Sequence, residues 1–339
     1  MATLGATFYD LIDLYKQQDG SGNFVPVIEM LNEMNPILDD ALAVECNKGT
    51  RHLHTVRTGL PSVTWGRLYQ GIPQSKSGKA QVEDTTGFVE GLSTIDMRLL
   101  ELSGNEGAVR MSEAQSYLES MSQEVASKIF YGNSASDPEE FMGLSPRFNS
   151  LSAPNGNQII DAGGAGADNT SIWFVTWGDN QCQLLYPKGS KAGVTREDKG
   201  EQRVNDANGN AYYVKEELFR WHVGLAVKDW RYVVRIANID VSNMVADPSN
   251  VDGSGNSLYH YMRKAYWQLQ NTFVPGGRLA IYCNRDVAEA LDALGTNTGA
   301  NDNYARLTPA EIQGKQVDTY RKIPLRISDA ILNTEAVVA

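Results

Sequence analysis

Two histidines, His52 and His54, stand one residue apart in a stretch that alternates like a β-strand, so both imidazoles share one face in a spacing compatible with a metal ion. A metal site needs three or four ligands, and no acid or cysteine nearby in the sequence completes the set. Half-exposed strand histidines are therefore the expectation, and no metal is predicted. The glycine run Gly163-Gly164-Ala165-Gly166 continues into Ala-Asp-Asn rather than the Lys-Ser/Thr that a phosphate loop requires, and reads as a plain loop. No Gly-x-Ser-x-Gly elbow occurs, and neither His222 nor His260 has a Ser or Cys nucleophile in a recognisable setting. Glu139-Glu140 and Glu216-Glu217 are adjacent pairs; on a strand they point to opposite faces, whereas general acid–base work needs carboxyls that converge. Asn169-Thr170-Ser171 matches a glycan acceptor, a chance match in a chain without a secretory signal. No catalytic residue, cofactor or enzymatic activity is predicted.

Composition narrows the classes further. A chain of 339 residues suits two domains or one elaborated domain. Thirty basic and forty-one acidic residues give a net charge of -11, which removes any whole-protein electrostatic case for gripping nucleic acid or an anionic membrane. Cys46, Cys182 and Cys283 lie far apart with no Cys-x-x-Cys pair, so free thiols in a reducing compartment are expected. No window approaches the roughly 18 consecutive apolar residues of a membrane span, and the opening MATLGATFYDLIDLYKQQ lacks a basic signal-peptide start; a soluble, non-secreted chain is expected.

The elements that position these residues centre on Arg110–Gly132. Ala114, Leu118, Met121, Val125 and Ile129, widened by Tyr117, recur at helical spacing; Ser112 with Gln115 reads as a capping box, and Gly132 as a left-handed stop. Before it come a short amphipathic helix over residues 6–16, a second within VPVIEMLNEMN, and strand-like runs around His52 and around Val63, Trp65, Arg67 and Tyr69. A polar tip is expected at Gly71–Lys79, with a return limb from Ala80. After the helix, SIWFVTWG, QCQLLYPKG, AYYVKEELFRWHVGLAV and WRYVVRIANI are dense in aromatic and β-branched residues and read as strands, with Asn208-Gly209 as a hairpin turn. A helix over Leu258–Phe273, a strand RLAIYC, a helix RDVAEALDAL capped by Asn284, and a strand-like VDTYRKIPLRISDAIL complete a mixed α+β chain. The six tryptophans read as core or interface anchors.

Charge is segregated along this order. Between Cys46 and Val82 stand six basic residues and no acid, whereas Glu83–Glu140 holds twelve acids against Arg98, Arg110 and Lys128. A long two-stranded ribbon is marginal in water and must be covered by something. Complementary charge on a neighbouring copy would select its orientation.

The order of arm, basic excursion, long helix, β-rich region and returning strand, together with the wording TVRTGLPSVTWGRLYQG, FYGN, GLSPRFNSLS, SIWFVTWG, PKGSKAG and DWRYVVRIANID, resembles the major capsid proteins of podophage-like tailed bacteriophages with the Hong Kong 97-type fold. The resemblance spans about Thr7 to Leu332. It implies an N-terminal arm (1–45), an extended loop (46–92), a peripheral domain (93–165 with 312–339) whose spine helix is 110–132, and a β-rich axial domain (166–311). It further implies pentamers and hexamers forming an icosahedral shell around double-stranded DNA without sequence-specific binding. A portal protein, a separate scaffolding protein and, left open, a cement protein are the other expected partners; no membrane is involved. Assembly is expected in the bacterial cytoplasm, with the virion as destination. In such shells the loop lies over a neighbour's peripheral domain. Trp65, Arg67, Leu68, Tyr69, Lys76 and Lys79 are thus its expected contact residues, facing Glu113, Glu119 and Glu124 of the next subunit's spine helix, with no crosslink assumed. The rival readings are a virion decoration or carbohydrate-binding protein, which would hold tryptophans in an open groove, and an intracellular hydrolase, for which no converging site is found.

Overall fold

The computed structural model describes residue 13 and residues 33–206, 208–296, 307–312 and 315–339. The expected helix over 6–16, apart from residue 13, and most of VPVIEMLNEMN lie outside the described residues. The strands are β1 (Ala43–Glu45), β2 (Arg51–Gly59), β3 (Gly78–Asp96), β4 (Ile159–Asp161), β5 (Asn169–Trp177), β6 (Cys182–Tyr186), β7 (Val194–Asn205), β8 (Ala211–Val227), β9 (Val233–Asp240), β10 (Arg278–Cys283), β11 (Leu307–Ile312), β12 (Lys315–Tyr320) and β13 (Ile323–Ile327). The helices are α1 (Ile37–Asp40), α2 (Met97–Ser103), α3 (Glu106–Tyr131), α4 (Leu144–Arg147), α5 (Val241–Ala246), α6 (Leu258–Gln268) and α7 (Arg285–Thr296).

One sheet runs through the body in the order β11-β12-β13-β10-β5-β6-β8-β3-β2, with β9 also pairing to β5. All nine residues of β5 are buried because both faces of the sheet are covered, which explains its unbroken apolar run. On one face Trp173, Val175 and Trp177 meet Val125, Ile129 and Phe130 of α3. On the other, Ile172 and Phe174 meet Met262 and Ala265 of α6 and Val287 and Leu291 of α7. Each fully buried large side chain in these cores contributes about 1.5–3 kcal/mol of transfer free energy. The helix α7 starts where expected: Asn284 Oδ1 accepts from Val287 N at 2.9 Å. The β7–β8 hairpin turns through Gly209 at φ 85, the left-handed conformation its Asn-Gly pair predicts.

The long helix departs from expectation at both ends. It begins at Glu106, four residues before Arg110, because Asn105 Oδ1 accepts from Ala108 N at 3.2 Å; Ser112 and Gln115 sit inside the helix and form no capping box. Gly132 is extended (φ -52, ψ 133), not left-handed. Glycine is needed there for another reason: a Cβ would lie 2.6 Å from the Phe141 carbonyl oxygen and 2.7 Å from that of Lys128. Leu118, expected in the buried stripe, is exposed, and Phe130 is buried instead.

Residues 34–45, the end of the expected arm, are built into the body. Ile37 is fully buried, and β1 pairs with β6 in parallel. Arg326 donates to both oxygens of Asp40 at 3.0 Å, and Asp329 and Met34 exchange hydrogen bonds of 2.9 and 3.0 Å. The C-terminal segment is locked in the same way. Buried Glu335 accepts from Arg235 Nη2 (2.8 Å), from Tyr131 Oη and from Ser171 Oγ. Asn238, at φ 57, exchanges hydrogen bonds with the Val338 backbone.

Candidate inter-subunit surfaces

The strand β3 serves two structures at once. Gly78–Thr85 pair with β2 to form a projecting ribbon, whereas Thr86–Asp96 pair with β8 in the body. Beyond Gly59 and before Gly78 the ladder stops. Pro61 and Pro73 lack the amide a ladder needs, and the limbs are held by a 2.8 Å bond from Ser75 Oγ to the Ser62 carbonyl. The turn falls at Arg67–Gln70, closed by Gln70 N donating to the Arg67 carbonyl and with Tyr69 at φ 65. The tip is therefore aromatic and not the polar Gly71–Lys79 stretch. Lys76 and Lys79 lie on the return limb, Lys79 directly opposite Arg57.

What the loop presents to solvent is apolar. Leu60, Val63, Trp65, Leu68, Tyr69 and Ile72 are each at least 79% exposed. Val63 and Trp65 alternate as expected, but without strand pairing. A contiguous run of large apolar side chains on a protrusion marks an interaction surface. Leu60 and Ile72, not singled out from the sequence, belong to it; their position between glycines and prolines was the available signal.

The root of the ribbon contains the two histidines, and here expectation fails. Both are largely buried, with His52 at 8% exposure. An acid does stand beside them: the antiparallel register sets Asp84 opposite His52, and Asp84 Oδ2 lies 3.7 Å from His54 Nδ1. Arg147 holds the other Asp84 oxygen at 2.8 Å. Burial lowers both histidine pKa values; Lys228 adds to the shift at both, and Asp84 opposes it. Among the described residues no group of three His, Cys, Asp or Glu side chains has metal-holding geometry.

The spine helix α3 carries the three expected acids on different footings. Glu113 is half-buried, and burial, then Asp13, raises its carboxyl above the usual range. Glu119 accepts from the backbone N of Glu33 at 3.0 Å and from Gln123. Glu124 lies 3.6 Å from Lys128 and keeps half of its side chain exposed. The first two thus face residues that precede α1 in the same chain. The same helix also receives the β7–β8 hairpin: Tyr117 stacks on Phe219 at 5.5 Å, and Arg110 bonds Glu217 and, at 2.7 Å, Asp198. Gly91 of β3 admits the Tyr117 ring, which a Cβ would meet at 2.7 Å.

The remaining chemical candidates are structural. Asn169 is fully buried, which removes it as a glycan acceptor. Cys46, Cys182 and Cys283 are free and buried, and burial pushes their thiols up to about 11, 12 and 12. Trp173 and Trp177 are core residues, while Trp65 and Trp267 are exposed on separate elements. No helix among the described residues is long and apolar enough to cross a membrane.

A two-faced sheet crossed by a long helix, with a strand running out into a projecting loop, is a fold of the Hong Kong 97 type, the class of shell-forming phage capsid proteins. Its capsid relatives share that architecture. The bacteriophage Epsilon15 structure is similar over 100% of this chain and 99% of its own, with TM-score 0.78 and 35% identity. The bacteriophage JBD30 capsid covers 97% of this chain and 96% of its own at TM-score 0.50 and 8% identity, a likeness of fold alone. The chain belongs to the major capsid protein GP7 family, whose family model matches residues 19–339. None of the curated protein sequences matches it. It is accordingly a structural protein of the phage virion, forming the icosahedral shell.

Proposed function

We propose that the projecting loop is the main adhesive element of the shell, lying on a neighbouring copy within and between pentamers and hexamers that enclose double-stranded DNA. The observation that carries this reading is the uncovered apolar run from Leu60 to Ile72. In this arrangement residues 1–45 act as the arm, 46–92 as the extended loop, 93–165 with 312–339 as the peripheral domain and 166–311 as the axial domain. Trp65, Leu68 and Tyr69 bury apolar area on the neighbour, with Arg67 beside them. Lys76 and Lys79 approach Glu113, Glu119 and Glu124 of that neighbour and set register, since exposed ion pairs contribute only about 0–1 kcal/mol each. The role is non-enzymatic. A portal and a separate scaffolding protein are further partners in this reading, a cement protein being left open, with assembly in the host cytoplasm.

Zero-length carbodiimide coupling tests the contact, because it joins a lysine amine to a carboxylate only where they touch. Particles built from isotopically mixed subunits should give Lys76 or Lys79 joined to Glu113, Glu119 or Glu124 across copies, detected by mass spectrometry. Assembled particles with inter-copy crosslinks elsewhere and none from these lysines to the spine helix would overturn the placement.

A further inference from the structure

Beside the start of α6, where the β12–β13 turn comes close, a cleft of about 680 Å³ is lined by His260, Arg263, Arg321, Lys322, Tyr259 and Tyr320, and among the described residues by no carboxylate. That size falls in the range of small-molecule sites. The absence of acid is unusual in a chain of net charge -11. Several arginines elsewhere are held by carboxylates, as Arg285 is by Asp329 and Arg326 by Asp40. None of the ion pairs among the described residues takes Arg263, Arg321 or Lys322. Asp252, near His260, is already committed: it accepts from the backbone N of Ser254 and Asn256, from Asn256 Nδ2 and from Tyr261 Oη.

Two features show that the cations are placed and not merely present. The Arg321 guanidinium rests on rings, 4.7 Å from the centre of Tyr266, 5.7 Å from Tyr320 and 5.9 Å from Trp267, which fixes its fork in advance of any ligand. The turn itself is strained, since Arg321 (φ 51) and Lys322 (φ 69) occupy consecutive left-handed positions that asparagine and glycine fill at lower cost. A strained backbone carrying two cations that no described carboxylate pairs points to a purpose for the cations. Burial, then Lys264 and Arg263, lower the His260 pKa, with Asp252 opposing them, which marks a local excess of positive charge that a dense negative charge entering the cleft would relieve.

We propose that this cleft binds a compact polyphosphate-bearing small molecule of nucleotide size. Its concavity excludes the convex backbone of a duplex. An extended acidic peptide, with same-face side chains about 7 Å apart, would bring few carboxylates into one such volume, whereas linked phosphates concentrate charge there.

The test is isothermal titration of the full-length chain at low salt with tripolyphosphate, ATP, a single-stranded oligonucleotide and a polyglutamate peptide. The informative variant is Arg321→Asn with Lys322→Gly, which suits the turn while deleting both charges. Arg263→Ala, on the exposed face of α6, is the second variant should the first misfold. Saturable binding of tripolyphosphate and ATP, weakened about tenfold or more in either variant with the thermal midpoint retained, is expected. Comparable affinity for the two would mean that phosphate alone is read, and tighter ATP binding that a ring adds to it. Failure of both small phosphates, whether or not the oligonucleotide or peptide binds, overturns the proposal, as does unchanged affinity in the folded variants.

Discussion

Replacing Trp65 and Tyr69 with alanine should abolish assembly at concentrations where the parent chain forms shells, without touching the stability of the subunit. The two rings are 98% and 107% exposed, so within one subunit they bury almost nothing, and truncation should change its folding free energy by no more than about 0.5 kcal/mol. On a neighbour, buried aromatic anchors cost about 2 kcal/mol or more each when cut to alanine. Two anchors per loop and one loop per subunit give roughly 4 kcal/mol per subunit, or roughly a thousandfold rise in the concentration needed for assembly. Light scattering across a concentration series, with sedimentation velocity to size the products, measures that threshold; circular dichroism melts verify the fold. Shells forming at the parental threshold from the double variant would refute the assignment of adhesion to the loop tip.

Other perturbations read the rest of the molecule. Glu335→Ala strands a buried Arg235 and should cost about 3–5 kcal/mol in a denaturant melt, more than Arg235→Met with Glu335→Leu, which removes both charges. Lys76→Glu with Lys79→Glu should leave the subunit folded but block shell formation; normal-sized particles by negative-stain microscopy would remove the register role of these charges. Gly91→Ala forces the Tyr117 ring aside and should cost about 1–3 kcal/mol, partly recovered by adding Tyr117→Leu. Because His52 and His54 have folded pKa values below the ordinary 6.5, the unfolded chain takes up more protons. Stability should therefore be full above that pH and fall as pH drops from 6.5 toward the folded values. His52→Gln with His54→Gln should flatten this slope in thermal midpoints measured across pH.

The sequence was most legible where a signal was local. The bounds of β8 and β10 and the Asn284 cap followed from aromatic and β-branched density and from a single side-chain acceptor three residues ahead of its donor. The extra turn of α3 was not, because Glu106-Gly107 opens it weakly and tertiary contacts such as buried Val109 hold it. Most of β7 escaped the strand pattern: its residues are chiefly polar and exposed, and only pairing with β8 makes them a strand. The loop tip was misplaced because alternation at Val63 and Trp65 imitates a strand, whereas Pro61 and Pro73 were the better guide. The burial of His52 and His54 depends on Asp84 and Arg147, and the Arg235–Glu335 pair joins residues 100 positions apart, so neither could be read locally.

The undivided course of β3 gives the shell a mechanical property. Its 19 residues span roughly 60 Å at about 3.3 Å each, the inner part held in the body by β8 and the outer part paired with β2 in the projecting ribbon. Such a strand is a cantilever, and a rotation of the anchored half by about 10° would sweep the outer end through roughly 10 Å over that length. Load applied where the loop grips a neighbour would return along the same beam to Gly91 and the Tyr117 ring, so tilting one subunit would be felt as torque on the long helix of the same chain.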